Sequence, residues 1–196
     1  MIWSAFAIAL AIPFLAAAAS PLLAWRQPVY IMAGFAGIVA MALLLVQPLL
    51  IGGYLPGLSL RGSKRIHIWL GTALILTVLM HLVGLWVTSP PDVVDALLFR
   101  SPTPFSAWGV FAMWTLLGAA LVVALKERFH LRTRAWKSTH KALVTLTVAG
   151  SVVHAVLIEG TMEPVSKFFL CGFALIATTK VVFDLRSSGK RNRHKK

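Results

Sequence analysis

Four histidines hold most of the chemistry available to this chain. His67 and His81 lie on one apolar segment and His140 and His154 on another, each pair 14 residues apart. On a helix that separation is close to four turns, a rise of roughly 21 Å with an angular drift of about 40°. Both imidazoles of a segment therefore face one way at two depths. Two such helices side by side present two His/His pairs, one above the other, which is the geometry for holding two haems across a membrane. Other roles open to histidine at that depth are a hydrogen bond between helices, a proton path or a quinone contact. His67 and His140 begin their segments near Arg65 and Lys137, where an interfacial role is also open.

Other metals suit the pattern less well. Structural zinc wants four ligands converging on one point, whereas the two histidines of either helix stand about 21 Å apart. Neither histidine segment contains a carboxylate to complete a zinc, calcium or non-haem iron site. Two neutral imidazoles fill both axial positions of a haem and leave none open for oxygen, so the expected work is electron transfer.

The elements that must position these residues are membrane helices. The 196 residues are 58% apolar and only 13% charged, with a mean hydropathy of +0.81, far from the soluble average. Charge-poor stretches run at about Ile2 to Trp25, Val29 to Leu50, Ile66 to Thr88, Phe105 to Leu125, Thr139 to Ile158 and Val165 to Phe183. Each is near the roughly 20 residues that cross a bilayer as a helix, and lipid-exposed backbone at this length has to be helical. An all-α, polytopic bundle of six transmembrane helices is expected. Ala16 to Ser20 is a run of small residues such as signal cleavage sites contain, but Met1 to Ser4 has no basic n-region, so the first segment is expected to be retained. Pro13 and Pro21 should kink it or end it early.

The formal charge of +13 is unevenly spread. Arg61, Lys64 and Arg65 precede the third segment, Lys126, Arg128, Arg132, Arg134 and Lys137 precede the fifth, and six more basic residues follow Phe183. The opposite loops carry Asp92, Asp95, Glu159 and Glu163. By the positive-inside rule both termini are cytoplasmic. The third and fifth segments then run parallel, which pairs His67 with His140 and His81 with His154. Anionic lipid headgroups are the nearest partner for the basic tail, and nucleic acid is not expected because no reading element is present. Cys171 stands alone and reads as a small buried residue.

Gly71, Gly84 and Gly150 fall within a turn of a histidine and would make room for either a porphyrin or a neighbouring helix. Thr72, Thr145 and Thr147 read as helix-contact residues. Arg65 and Lys137 are the residues best placed to neutralise haem propionates, although topology alone explains them. Trp69, Trp86, Trp108 and Trp136 sit near segment ends, as an aromatic belt requires.

Arg65-x-His67-x-x-x-Gly71 followed by His81, then Trp136-x-x-x-His140 followed by His154, resembles the ferric reductase-like transmembrane domain, the membrane haem module of ferric reductases and NADPH oxidases. The resemblance covers the third to fifth segments most closely. It implies two b-type haems, one on His67 and His140 and one on His81 and His154. It also implies a division into two N-terminal helices and their loop (1–60), a four-helix haem-binding core (61–185) and a basic cytoplasmic tail (186–196).

Eukaryotic members of that family continue into a cytosolic flavin and nicotinamide domain. This sequence holds neither G-x-G-x-x-G nor a domain-sized soluble region. The resemblance therefore implies an oxidoreductase component of a bacterial inner membrane that depends on a separate donor. That donor is a flavoprotein reductase, quinol, or a flavin or quinone held at the cytoplasmic face, and the external acceptor a ferric complex or a periplasmic redox protein. The alternative within the superfamily is the haem-binding, quinol-linked subunit of the bacterial methionine sulfoxide reductase system. That subunit lacks a histidine where His67 stands, which favours the four-histidine form. A non-redox transport or assembly protein is the alternative outside it.

Overall fold

A computed structural model describes residues 2–160 and 162–191, with the side chains of residues 2, 5 and 185–191 excepted. The described residues form an all-α, multi-pass bundle of seven α-helices: α1 (Ile2–Ala18), α2 (Pro28–Gly52), α3 (Leu60–Thr88), α4 (Pro90–Leu97), α5 (Pro104–Leu125), α6 (Thr133–Leu157) and α7 (Pro164–Arg191). Five of them, α2, α3, α5, α6 and the Pro164–Asp184 part of α7, are long and apolar enough to cross a membrane.

The stretch expected to cross first divides in two. Its helix ends at Ala18 after 17 residues, with Pro13 inside it, a rise of about 26 Å against a hydrocarbon core of about 30 Å. Pro21 then opens a 3-10 turn over Pro21–Trp25, capped by the Ser20 hydroxyl. Elsewhere helix replaces expected loop. α3 begins at Leu60 and α6 at Thr133, so Arg61, Lys64, Arg65, Arg134 and Lys137 lie within the first two turns. α7 carries Arg186, Lys190 and Arg191, whereas residues 192–196 of the basic tail lie outside the described residues.

Two antiparallel hairpins organise the bundle. α2 packs along α3 and α5 along α6, while α7 closes one side against α2 and α6, and α1 rests on α2 and α7. Small residues set these contacts. A Cβ on Gly84 would come within 2.7 Å of the Ala33 Cβ, and one on Gly150 within 3.2 Å of the Ala112 Cβ, so both glycines serve close helix contacts within their own hairpin. Thr147 donates to Thr115 at 3.0 Å across the second hairpin. Thr72 and Thr145 instead bond back to their own helices and are exposed. The core joins Leu44 and Leu45 of α2, Leu74 of α3, Leu116 of α5, Val148 of α6, and Leu170 and Cys171 of α7.

Of the 29 residues of α3 only Ser63 and Leu74 are buried. Ile68, Leu76, Met80 and Val83 stand exposed, a surface suited to hydrocarbon rather than water. Trp69, Trp86 and Trp108 are exposed as well, and Trp136 is half-buried beneath Lys126.

Glu163 caps α7. Its two carboxylate oxygens accept from the Val165 and Ser166 N–H groups at 2.8 and 2.7 Å, and these bonds to the charged form hold its carboxyl below the usual value near 4.5. The depressed pKa means a stabilisation that is complete above the unfolded value and lost as pH falls through the folded one. Glu163→Gln is therefore expected to lower Tm at neutral pH and to flatten its fall below about pH 4.5; identical melting profiles from pH 3 to 7 would contradict this.

Candidate functional site

Three of the four histidines are hydrogen-bonded by the other helix of their own hairpin. His81 Nδ1 meets the Ala33 carbonyl of α2 at 2.7 Å, His154 Nδ1 the Phe105 carbonyl of α5 at 2.8 Å, and His140 Nδ1 the Ala119 carbonyl of α5 at 3.1 Å. A carbonyl only accepts, so Nδ1 carries the proton, and in the neutral ring the lone pair is on Nε2. This is the outer hydrogen bond that fixes tautomer and ring orientation in metal-ligating histidine.

One turn beyond each of the first two carbonyls is a glycine. A Cβ at Gly37 would lie 3.2 Å from His81 Nδ1, and one at Gly109 would lie 2.7 Å from both Cε1 and Nδ1 of His154. The bare glycines let the imidazoles sink against α2 and α5.

The seats repeat as the histidines do. Ala33 and Gln47 are 14 residues apart on α2, Phe105 and Ala119 are 14 apart on α5, and Gly37 corresponds to Gly109. The α2–α3 and α5–α6 hairpins thus carry the same pattern in the same direction, as in parallel repeats about an axis along the bundle.

Histidines of different hairpins face one another. The His81 and His154 ring centroids are 6.4 Å apart with planes at 80°, and His67 and His140 are close enough to interact electrostatically. His81 meets His154 because α3 and α6 run parallel, and the same direction sets His67 towards His140. An imidazole centroid lies about 1.1 Å from its own Nε2 and a metal–imidazole bond is about 2.0 Å, so two imidazoles trans on one ion have centroids roughly 6.3 Å apart. The His81/His154 separation matches that span.

Among the described residues no three or more His, Cys, Asp or Glu side chains converge on a point that could hold an ion. A two-imidazole site therefore suits a group that brings its own equatorial ligands, as haem does. The donor set fits that cofactor: paired rings, three with an anchored Nδ1, on helices that approach without packing along their length.

The pair nearer the basic first turns departs from the pattern. His67 Nδ1 is buried without a hydrogen bond, although the Gln47 main chain faces it. Gly71, one turn along α3, has the Gln47 amide as its neighbour, 3.6 Å from where a Cβ would stand. Arg65 and Lys137 are exposed at this end, with Lys137 Nζ 5.7 Å from the Trp136 ring centroid.

Several parts of the site escape a reading by side-chain chemistry. Ala33, Phe105 and Ala119 act through main-chain carbonyls, which any residue could supply. Gln47 carried a usable signal, because it lies at the same antiparallel register opposite His67 as Ala33 does opposite His81, and so did Gly37 and Gly109, which recur one turn beyond Ala33 and Phe105. Gln47 is also a lone amide within an apolar run, a position that is functional by default in a membrane helix.

No protein-family model matches this chain, and no curated protein or solved structure is significantly similar to it.

Proposed function

We propose that the chain carries electrons across a membrane through two b-type haems, one held by His67 and His140 and one by His81 and His154. The observation that supports this best is the 6.4 Å separation of the His81 and His154 rings, with both Nδ1 atoms tied to main-chain carbonyls. When bound, haem supplies an iron that cycles between ferric and ferrous states. The residues of the chain do the rest. Each Nε2 donates its lone pair, and the carbonyls of Ala33, Phe105 and Ala119 keep that lone pair on Nε2. The apolar helices keep water from the rings, and a histidine from each hairpin would hold the group. Arg65 and Lys137 stand at the end where propionates would need positive partners.

In this reading α1 with the following 3-10 turn is the sixth crossing, and the ends bearing Arg61, Lys64, Arg65 and the basic residues of α6 and α7 are cytoplasmic. Electrons enter at the His67/His140 end from a separate flavoprotein reductase or quinol. They leave at the His81/His154 end to a ferric complex or a periplasmic redox protein. The role proposed is that of a ferric reductase-like membrane subunit of a bacterial inner membrane.

The test is transmembrane transfer in sealed vesicles reconstituted with the protein. An impermeant reductant on the side of the basic ends should reduce an impermeant ferric chelate on the other side, and vesicles of a His81→Ala variant should not. Equal rates with and without the protein would contradict the proposal.

A further inference from the structure

A second group of polar side chains converges at the end of the bundle that bears the basic residues, where α2 ends beside α7. α2 closes on Gly53, left-handed at φ 68°, whose N–H reaches the Leu49 and Leu50 carbonyls. Tyr54 follows that cap and turns back towards α7, and Gly52 leaves room for its ring. The Tyr54 hydroxyl donates to Asp184 Oδ2, Lys180 Nζ donates to the same oxygen at 3.0 Å, and Lys180 Nζ lies 4.9 Å from the Tyr54 ring centroid.

Tyr54 and Lys180 form one end of a cavity of about 320 Å³ between α1, α2 and α7, walled by Phe6, Leu45, Leu49, Phe173 and Ile176. Apolar walls with a few polar groups at this volume are the usual form of a small-ligand site. Phe173 and Ile176 are exposed, so the cavity opens towards hydrocarbon and its ligand can arrive through the bilayer. α2 alone separates it from the first histidine. Leu45 and Leu49 face the cavity, whereas the Gln47 amide lies against Gly71 of α3 and the Gln47 main chain faces His67. One helix is about 10 Å thick.

We infer that this cavity takes the ring of a lipid-soluble quinol, the electron donor, with its tail in the bilayer. The inference rests on the haem reading and chooses quinol over a flavoprotein, because a soluble protein has no use for a site that opens to hydrocarbon. Lys180 supplies N–H donors for a ring oxygen, and the Asp184 carboxylate accepts from a hydroxyl. Oxidation breaks both quinol O–H bonds. Two electrons pass singly to ferric haem iron and make it ferrous, one proton goes to Asp184 and the other to water at the exposed mouth, and quinone remains.

The test titrates the full-length protein in detergent with a decyl-substituted benzoquinone, following binding by calorimetry, a readout that needs no haem. The wild type should bind one molecule. Ala9→Phe fills the cavity from α1 without touching a histidine and should weaken binding by about 10-fold or more. Asp184→Asn should keep quinone binding but slow haem reduction by the matching quinol by about 100-fold. Reduction by dithionite, which needs no cavity, should be the same in all three proteins and so report intact haem sites. No binding by the wild type, or Ala9→Phe and Asp184→Asn proteins that both behave as the wild type does, would overturn the inference while leaving the haem reading intact. Displacement of the quinone by equimolar phospholipid would also overturn it and make the cavity an acyl-chain seat. A protein that binds quinone but holds no haem would overturn the haem reading and the electron step with it, and leave the quinone site standing.

Discussion

Replacing His81 with alanine is expected to abolish one of two haem sites and leave the other intact. The His81 ring is half of a pair whose 6.4 Å separation matches two imidazoles on one iron, and the nearest replacement donor on its own helix is His67, roughly 21 Å away. Loss of an outer partner alone lowers metal affinity by about 10- to 100-fold, so loss of the ligand itself should exceed that. His154→Ala should give the same result, because either substitution removes one end of the same axis. Haem content should fall from two per chain to one in each variant. The double variant should be no worse than either single one, since residues acting as a unit do not add. Retention of both haems in either variant would break the assignment.

Gly109→Ala should produce a similar loss by indirect means, without touching any ligand. The new Cβ would sit 2.7 Å from two atoms of the His154 ring and 3.3 Å from a third. What it meets is the body of the imidazole, not the far end of a flexible chain. The ring is held from behind by the Phe105 carbonyl at 2.8 Å, so it must leave its seat and give up that bond. Overpacking of this kind costs about 1–3 kcal/mol, and the gain in helix propensity on removing a glycine is about 1 kcal/mol. A small net destabilisation is expected, with haem affinity at the His81/His154 site down by about 10- to 100-fold.

Gly37→Ala is the internal comparison. Its Cβ would be 3.2 Å from His81 Nδ1, a gap that a shift of a few tenths of an ångström relieves, so stability should change little and haem should be retained. Haem spectra and melting curves of the two variants check this, and equal behaviour would contradict the seat described for His154.

Much of this arrangement is legible in the residues. The 14-residue spacing of the histidines and the alternation of basic and acidic loops together require parallel helices, and the structure brings the His81 ring to 6.4 Å from that of His154, with His67 and His140 on the same side of the bundle as one another. The five long apolar helices follow from hydropathy alone. Helix limits were less legible. α3 and α6 start six residues before their apolar runs do, because a polar first turn is as helical as an apolar one when it lies outside the hydrocarbon. The first apolar stretch divides at Pro21, which begins a 3-10 turn, an early end that the proline signalled and hydropathy alone did not.

The seats of the histidines were hidden for a different reason. A main-chain carbonyl has no sequence signature, so Ala33, Phe105 and Ala119 cannot be recognised until register is known. Gly84 and Gly150 were open to two roles from spacing, and the structure turns both towards their own hairpin partner. The glycines that touch the histidines are Gly37 and Gly109, on the neighbouring helices, where proximity in sequence gives no hint.

The most direct test of the central claim is the haem content of the purified wild-type protein, measured by pyridine extraction against protein concentration. The account predicts two b-type haems per chain, with the absorption spectrum of paired imidazole ligands. A colourless protein, folded and intact in the membrane, would contradict it and leave the four histidines to a non-redox role.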